Sequence, residues 1–246
     1  MYNYKITIEY DGSAFNGWQV QPGLRTVQGE IEKAVIEVSG RKSNVICAGR
    51  TDSGVHAFGQ VANFKSRIDW GEESVRKALN RVLPDDIVLL DCEEVDSGFN
   101  ARFDAIARYY EYRIFNARSS IRRNFCWQYP AKINFACLKR LSAKLLGEHD
   151  FKSFCVRKSQ KKSNLCTVTK SHWTKRGKEY NFQIIANRFL HGMVRSLVGT
   201  MIKISAGFQD EEVFEELLER PKRSEKVFTA PPNGLYLMKV EYDLEK

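Results

Sequence analysis

The sequence predicts an α+β fold made of two ferredoxin-like, RRM-like halves. The chain has 246 residues, which is enough for one large or two small hydrophobic cores. Its segments run as strand, helix, strand, strand, helix, strand, and roughly the same order then repeats. The predicted halves are residues 1–104 and 105–246, with a linker near 103–107. We expect one continuous mixed or antiparallel sheet, helices on one side of it, and a cleft between the halves.

The first half is marked by alternating or helically spaced apolar residues. Its predicted elements are a strand at 4–10, a helix from 26 to about 38, strands at 44–48 and 60–64, a helix at 74–83 and a strand at 86–95. Thr26 is a typical N-cap, because its hydroxyl can accept from the first turn of the helix. Pro84 is expected to end the second helix, since proline has no N–H to donate.

The second half gives similar signals. Its predicted elements are a strand at 108–116, a helix at 135–146, a Lys/Arg-rich loop at 147–162, hairpin strands at 167–173 and 180–186, a helix at 188–206, an acidic helix at 211–218 and a strand at 235–242. We expect the loop to be the most mobile segment.

The positive charge lies in the middle third of the chain. The net charge is +9 overall, but residues 105–180 alone carry +14, whereas residues 1–104 carry −4 and residues 181–246 carry −1. Aromatic residues are interleaved with the cations of this segment. Cations that neutralise phosphates, beside rings that stack on bases, favour RNA or DNA as the partner. A surface for another acidic partner is the alternative.

Composition also excludes several classes of protein. No apolar run approaches the roughly 18 residues that a membrane span needs. The N-terminus lacks the pattern of a signal peptide. The six cysteines are far apart, with no CxxC and no metal-ligand spacing. A membrane protein, a disulfide scaffold and a zinc ribbon are therefore disfavoured, and we expect a cytoplasmic protein without a bound metal.

The most informative segment is CAGRTDSGVHA at 47–57. An apolar strand leads into a turn that is bracketed by Gly49 and Gly54, and the turn carries Arg50 and Asp52. Glycines permit close backbone approach and unusual dihedral angles. Because an aspartate in a turn commonly caps backbone amides, its spacing alone leaves Asp52 open to a structural or a catalytic role.

GRTDSGVHA resembles the signature of the tRNA pseudouridine synthase A (TruA) family, whose usual form is GRTDAGVH. The resemblance extends in order along nearly the whole chain. Its further blocks are EYDGSAFNGWQ at 9–19, VQ at 27–28, LPDDI at 83–87, FNARF at 99–103, ARYYEY at 107–112, GEHDFKSF at 147–154, ANRFLHGMVR at 186–195 and GLYL at 234–237. It implies an isomerase that converts uridine to pseudouridine at positions 38, 39 and 40 of the tRNA anticodon stem-loop. It also implies a homodimer that uses no cofactor.

The resemblance also implies roles for single residues. Asp52 corresponds to the catalytic aspartate, as nucleophile or as base at the sugar. Arg50 is expected to fill the space that a flipped base leaves and to bind phosphate. Tyr110 is expected to stack on the uracil and could relay its C5 proton, while Leu235, together with Tyr236, is expected to line the uracil pocket.

Arg195 matches an arginine of the family, and its position on the helix adds an argument. Gly192, Arg195 and Gly199 fall on one stripe of an otherwise apolar helix. Since a buried arginine needs a partner, we expect an Asp52–Arg195 ion pair in the cleft. A surface arginine at the edge of the apolar face is the alternative.

The chain departs from the family pattern at two points, and two histidines are expected to be structural. Ser53 replaces the usual alanine, a small change. Cys166 stands where the family usually has arginine, which leaves the choice of RNA open. His56 and His191 are interpreted as hydrogen-bonding scaffold.

Alternatives remain to this reading. The same chemistry could act on another RNA, such as ribosomal RNA, or the chain could be a non-catalytic RNA-binding protein. An aspartate-dependent hydrolase would need a second carboxylate or a metal site, and neither is apparent in the sequence.

Overall fold

The computed structural model describes residues 1–156, 163–222 and 224–243. The chain divides into two compact units, which are Met1–Ile106 with Tyr236–Lys246, and Ala107–Leu235. Each unit contains strands and helices, so the predicted α+β class is confirmed. The end of the chain is grouped with the first unit, whereas the sequence placed it in the second half. The domain division at 104/105 stays a prediction.

The first unit has the element order β-α-β-β-α-β before the chain leaves it. The elements are β1 (Tyr2–Tyr10), α1 (Val27–Ser39), β2 (Ile46–Cys47), β3 (His56–Ser66), α2 (Glu72–Val82) and β4 (Ile87–Val95). Thr26 caps α1 as expected, and its side chain accepts from the Gly29 N–H. Helix α2 ends at Val82, two residues before the proline that was expected to end it.

The remaining elements lie in the second unit, except that Ala105, Ile106 and the closing strand from Tyr236 onward belong to the first. They are β5 (Ala105–Phe115), β6 (Trp127–Gln128), α3 (Phe135–Ala143), β7 (Gly147–Asp150), β8 (Leu165–Arg176), β9 (Glu179–Ala186), α4 (Met193–Ser205), α5 (Glu212–Glu219) and the closing strand β10 (Leu235–Tyr242). The bounds of β10 are those that the sequence predicted, and the hairpin of β8 and β9 turns at Gly177.

The sheet of the first unit has the strand order β4-β1-β3-β10. Strand β1 is antiparallel to both of its neighbours. Strand β10 runs parallel to β3, with Tyr236 opposite His56, and this pairing explains why the chain end joins the first unit. Strand β2 pairs with β3 further along, at Ala62 and Asn63. Helix α1 packs against α2, and α2 packs against β4.

The sheet of the second unit has the order β5-β9-β8-β7, and each pair along this path is antiparallel. Strand β6 adds to β5 in parallel. Helix α3 packs against β8 and α4. Helix α4 is buried along most of its length, which agrees with its broad apolar face.

Four predictions about elements were wrong in detail. The helix expected at 188–206 begins only at Met193, because Gly192 has a left-handed φ of +69° that a right-handed helix cannot continue through. The helix expected at 135–146 ends at Ala143. The strand expected at 60–64 is longer at both ends, because β3 runs over His56–Ser66. The linker expected near 103–107 stays a prediction.

The fourth concerns the predicted loop at 147–162. It begins with β7 and with a 3₁₀ turn at Phe151–Phe154. Its basic part, residues 157–162, lies outside the described residues. No helix in the described ranges is both long enough and apolar enough to cross a bilayer.

Candidate active site

The segment from Gly49 to Val55 links β2 to β3 in the first unit, and it carries Arg50 and Asp52. Its backbone is held at several points. The Trp18 N–H donates to Thr51 O at 3.1 Å, and the Val55 N–H donates to Asp52 O at 3.2 Å. The hydroxyl groups of Tyr10 and Thr51 lie 2.8 Å apart and share a buried hydrogen bond. The loop is therefore fixed by contacts to residues far from it in the sequence.

The segment at 9–19 supplies the surface against which this loop packs. A Cβ atom on Gly12 would lie 2.0 Å from Val55 O, and one on Gly17 would lie 2.7 Å from Thr51 O. Gly17 also has a φ of +84°, which favours glycine. The two segments thus touch backbone to backbone, an approach that side chains at these positions would prevent.

His56 is part of this scaffold. It is buried, its Nδ1 accepts the Gly12 N–H at 3.1 Å, and its ring stacks on Tyr236 with centroids 4.8 Å apart. Asp11 Oδ1 lies 3.1 Å from the same nitrogen and accepts from the Ser13 N–H. These contacts support the structural role predicted for His56.

Within the loop, the side chain of Asp52 is half-buried and that of Arg50 is exposed. The buried thiol of Cys47 precedes them. Burial raises the pKa of Cys47 to about 12, although Arg50 and Arg102 oppose the shift. Burial thus disfavours the thiolate form of Cys47, the form in which a cysteine acts as a nucleophile.

The second unit contains Tyr110, on β5. Tyr110 and Tyr112 are buried while Tyr109 is only half-buried, because side chains alternate between the two faces of a strand. The ring of Tyr110 meets Phe189 edge to face, with centroids 5.0 Å apart. Tyr112 donates from its hydroxyl to Pro231 O at 2.7 Å, and burial raises its pKa well above the usual value despite the opposing charge of Arg195. Tyr112 is therefore a neutral core residue.

Arg195 lies on α4 and is half-buried. Its Nε donates to Ala230 O at 2.8 Å, and the Ala230 N–H donates to Arg195 O at 3.0 Å. A Cβ on Gly199 would lie 2.3 Å from Phe228 O. Gly199 thus admits the close approach of the chain's own 228–230 segment. Gly192 caps the helix instead of lying within it, so the predicted stripe is shorter.

Leu235 is buried at the start of β10. Its N–H donates to Pro232 O and closes the 3₁₀ turn Pro232–Gly234. A Cβ on Gly234 would lie 2.7 Å from Arg113 O, which fixes the turn against β5. The predicted site residues are thus placed as Arg50 and Asp52 in the first unit and Tyr110, Arg195 and Leu235 in the second. Their roles, and the Asp52–Arg195 pair, stay predictions.

Three residues that hold the loop were not singled out from the sequence. Tyr10 and Trp18 lie inside the block at 9–19, so their neighbourhood was noted without their role. Gln60 gave no signal, because a glutamine within a strand has no distinctive spacing. Its Nε2 donates to Gly49 O at 2.7 Å.

Two further features bear on ligands. Cys166, where the family usually has arginine, is buried with its Sγ 3.7 Å from Asn164 O, so the side chain at this position offers no surface cation.

A cavity of about 200 Å³ in the first unit lies between Arg41, Arg67 and Trp70, and it does not include the loop. Among the described residues, no group of three or more His, Cys, Asp or Glu side chains is arranged to hold a metal ion.

A family model and several known proteins match this chain over most of its length. The family model described as tRNA pseudouridine synthase matches residues 6–104 and 141–243. A tRNA pseudouridine synthase A of Geobacillus sp. (strain WCH70) is 40% identical over 242 residues, which are 97% of this chain and 98% of that protein. The proteins of the same name from Bacillus subtilis (strain 168) and Methylococcus capsulatus are 38% and 42% identical, and the matches cover 98% and 89% of them.

One solved structure, described as a crystal structure of a Cbf5-Nop10-Gar1 complex, also matches. Its TM-score is 0.35 at 10% identity, and the match covers 81% of this chain and 53% of that chain. This likeness is too slight to carry an argument, so the family assignment depends on the sequence matches. Both the family model and the relatives span most of the chain, and the resemblance drawn from the motifs is confirmed. The chain belongs to the tRNA pseudouridine synthase A family, a family of isomerases.

Proposed function

We propose that this protein converts uridine to pseudouridine at positions 38, 39 and 40 of the tRNA anticodon stem-loop, with Asp52 as the catalytic residue. The observation that carries the proposal is the construction of the Gly49–Val55 loop. Trp18 and Gln60 hold its backbone, and the Tyr10 hydroxyl bonds the Thr51 side chain. The loop carries a half-buried carboxylate two residues after an exposed guanidinium. A fixed loop is what a catalytic group needs, since small misplacements cost large factors in rate.

The chemistry requires little beyond such a carboxylate. The bond between uracil N1 and ribose C1′ breaks, the base turns, and C5 bonds to C1′. The C5 proton then leaves, and N1 ends the reaction with a proton. The carboxylate of Asp52 can act as a nucleophile at the sugar or as a base. The reaction is an isomerisation without net redox change, and the proposal includes no cofactor.

The other site residues serve to bind the substrate. Arg50 is exposed, so its guanidinium suits a phosphate or the space of an extruded base, whose unstacking costs a few kcal/mol. Tyr110 offers a ring braced by Phe189, which suits stacking on uracil. Arg195 has its guanidinium directed by Ala230 O, and Leu235 adds an apolar contact. An Asp52–Arg195 ion pair is part of the proposal.

The proposal also includes a homodimer, a cytoplasmic location and the predicted pair of ferredoxin-like halves with the active site in a cleft. The basic middle third of the chain supports RNA as the partner, because its +14 charge can neutralise phosphates. A second candidate is the same chemistry on ribosomal RNA. The buried thiol of Cys166 keeps it open, since a side chain that contacts RNA in the family pattern is replaced here.

Pseudouridine mapping at single-nucleotide resolution tests the proposal. Wild type and Asp52→Ala are incubated with unmodified tRNA and ribosomal RNA transcripts. We expect wild type alone to modify positions 38–40 of the tRNA. Modification of ribosomal RNA alone would keep the chemistry and replace the substrate. Intact RNA binding without modification by wild type would leave a non-catalytic RNA-binding protein.

A further inference from the structure

A buried amide side chain lies at the base of the loop that carries Arg50 and Asp52. Gln60, on β3, is 0% exposed. Its Nε2 donates to Gly49 O at 2.7 Å, while its Oε1 is buried with no hydrogen-bond partner among the described residues. The reverse orientation of the amide would place two oxygens at this short distance, so only the donor orientation fits.

The register of β2 and β3 explains why a side chain takes this carbonyl. Ile46 pairs with Asn63, and Cys47 pairs with Ala62. The Ala48 N–H still donates to Val61 O at 2.8 Å. The next position in this register places Gly49 opposite Gln60, where the chain leaves the sheet to enter the loop. The amide of Gln60 therefore replaces the backbone donor that the ladder no longer supplies.

The glutamine at this position carries an unsatisfied buried acceptor as well as a hydrogen bond. A buried acceptor without a donor is unfavourable, and a methionine of similar length would fill the same space without one. What the glutamine adds over an apolar side chain is the single hydrogen bond to Gly49. The same side chain therefore carries both the unfavourable unpaired Oε1 and the favourable hydrogen bond to Gly49.

We propose that Gln60 is a positioning residue for the proposed reaction. It fixes the Gly49 carbonyl and, because a peptide group is planar, the orientation of the peptide that joins Gly49 to Arg50. The Thr51 and Asp52 carbonyls are held by Trp18 and Val55. Gln60 holds the backbone where the chain enters the loop, and it thereby orients the segment that carries Arg50 and Asp52. The inference rests on the proposed function, because the orientation matters only if these side chains act.

Gln60→Glu and Gln60→Met provide the test. An ionised carboxylate at this position has no proton to donate and repels the Gly49 oxygen, whereas a protonated carboxyl group can donate to it. Burial and that hydrogen bond both favour the protonated form. The ratio of Q60E activity to wild-type activity is therefore higher at low pH, and it falls as the pH rises through the pKa of the introduced carboxyl group.

The expected numbers distinguish positioning from binding and from folding. At pH 8 both variants lose about 10- to 100-fold in kcat, and their KM for tRNA changes by less than about threefold. Between pH 8 and pH 6 the Q60E to wild-type ratio rises by about fivefold or more. The Q60M to wild-type ratio stays flat, because methionine can neither donate nor titrate.

Asn63→Asp is the matched control. Asn63 is a buried amide on the same strand, and its side chain bonds to Asn3 and to the Ala101 N–H instead of the loop. The Asn63→Asp variant should have a lower melting temperature than wild type and a kcat near the wild-type value. The ratio of its activity to that of wild type should not change with pH. If Q60M has kcat within twofold of wild type, or if Q60E changes only the melting temperature, the inference is overturned. If Q60E does not fold, Q60M decides.

Asp52→Ala separates this inference from the proposed function. If Asp52→Ala keeps full activity, the proposed function fails, whatever the Gln60 variants do. If Asp52→Ala is inactive while both Gln60 variants match wild type, the proposed function stands and the positioning role of Gln60 is wrong.

Discussion

Gly12→Ala directly tests whether the Asp52 loop depends on backbone-to-backbone contact with the 9–19 segment. The new Cβ would lie 2.0 Å from Val55 O and 2.5 Å from Val55 C. An ordinary contact needs about 3.4 Å, so one of the two backbones must move by roughly 1.4 Å. Val55 is joined to Asp52 by a turn hydrogen bond, and the displacement is therefore transmitted to the loop. The obstacle is backbone, which cannot rotate away as a side chain can.

Two effects of different size follow. Overpacking of this kind costs about 1–3 kcal/mol, which for a chain of this length lowers the melting temperature by about 2–12 °C. A shift of about 1 Å in a catalytic group costs about 100-fold in rate. We therefore expect a modest loss of stability and a larger loss of kcat. The melting temperature is measured by circular dichroism, and kcat by tritium release from tRNA labelled at uridine C5.

Gly98→Ala is the control for this variant. Its new Cβ would meet only the side-chain oxygen of Asp96, at 3.0 Å, and that side chain can rotate. We expect its melting temperature and kcat to stay close to wild type. A Gly12→Ala protein that matches this control in both measurements would refute the claim that close approach at Val55 holds the loop.

Three further outcomes are expected. Gly199→Ala places a Cβ 2.3 Å from Phe228 O and should cost about 1–3 kcal/mol in urea unfolding; an equal stability of Gly29→Ala and Gly199→Ala would contradict this, since a Cβ on Gly29 meets only the side chains of Thr26 and Val20. Thr26→Ala removes the cap of α1 and should cost about 1 kcal/mol, measured in the same way. Cys47 has a pKa of about 12, so its thiolate forms only above physiological pH; iodoacetamide at pH 8 should label it only in the unfolded protein, as read by mass spectrometry.

The elements that sequence patterns predicted well depend on residues close together in the chain. Thr26 caps α1 through a bond to Gly29, three residues away. The alternation of β5 put Tyr110 and Tyr112 on one buried face. The closing strand Leu235–Tyr242 has the predicted bounds. In each case the pattern and the structure it specifies occupy the same few residues.

The candidate site was predicted in part. The motif at 47–57 and the matching blocks identified the loop and the family, because they are read directly as residue order. The predicted start of α4 was wrong because the helical spacing of apolar residues extends back to Leu190. The helix itself begins only after Gly192, whose left-handed conformation caps it. The pair of Arg195 with Ala230 was also missed, since these residues are 35 positions apart.

The sequence by itself determined the α+β class, the basic middle third, the motif at 47–57 and the family. These properties follow from composition, local periodicity and the order of residues. Only the tertiary structure decided how the loop is held. Tyr10 and Thr51 are 41 positions apart, and Gln60 and Gly49 are 11 apart. No local pattern encodes such contacts, because they exist only once distant segments are packed together and their buried polar groups must find partners.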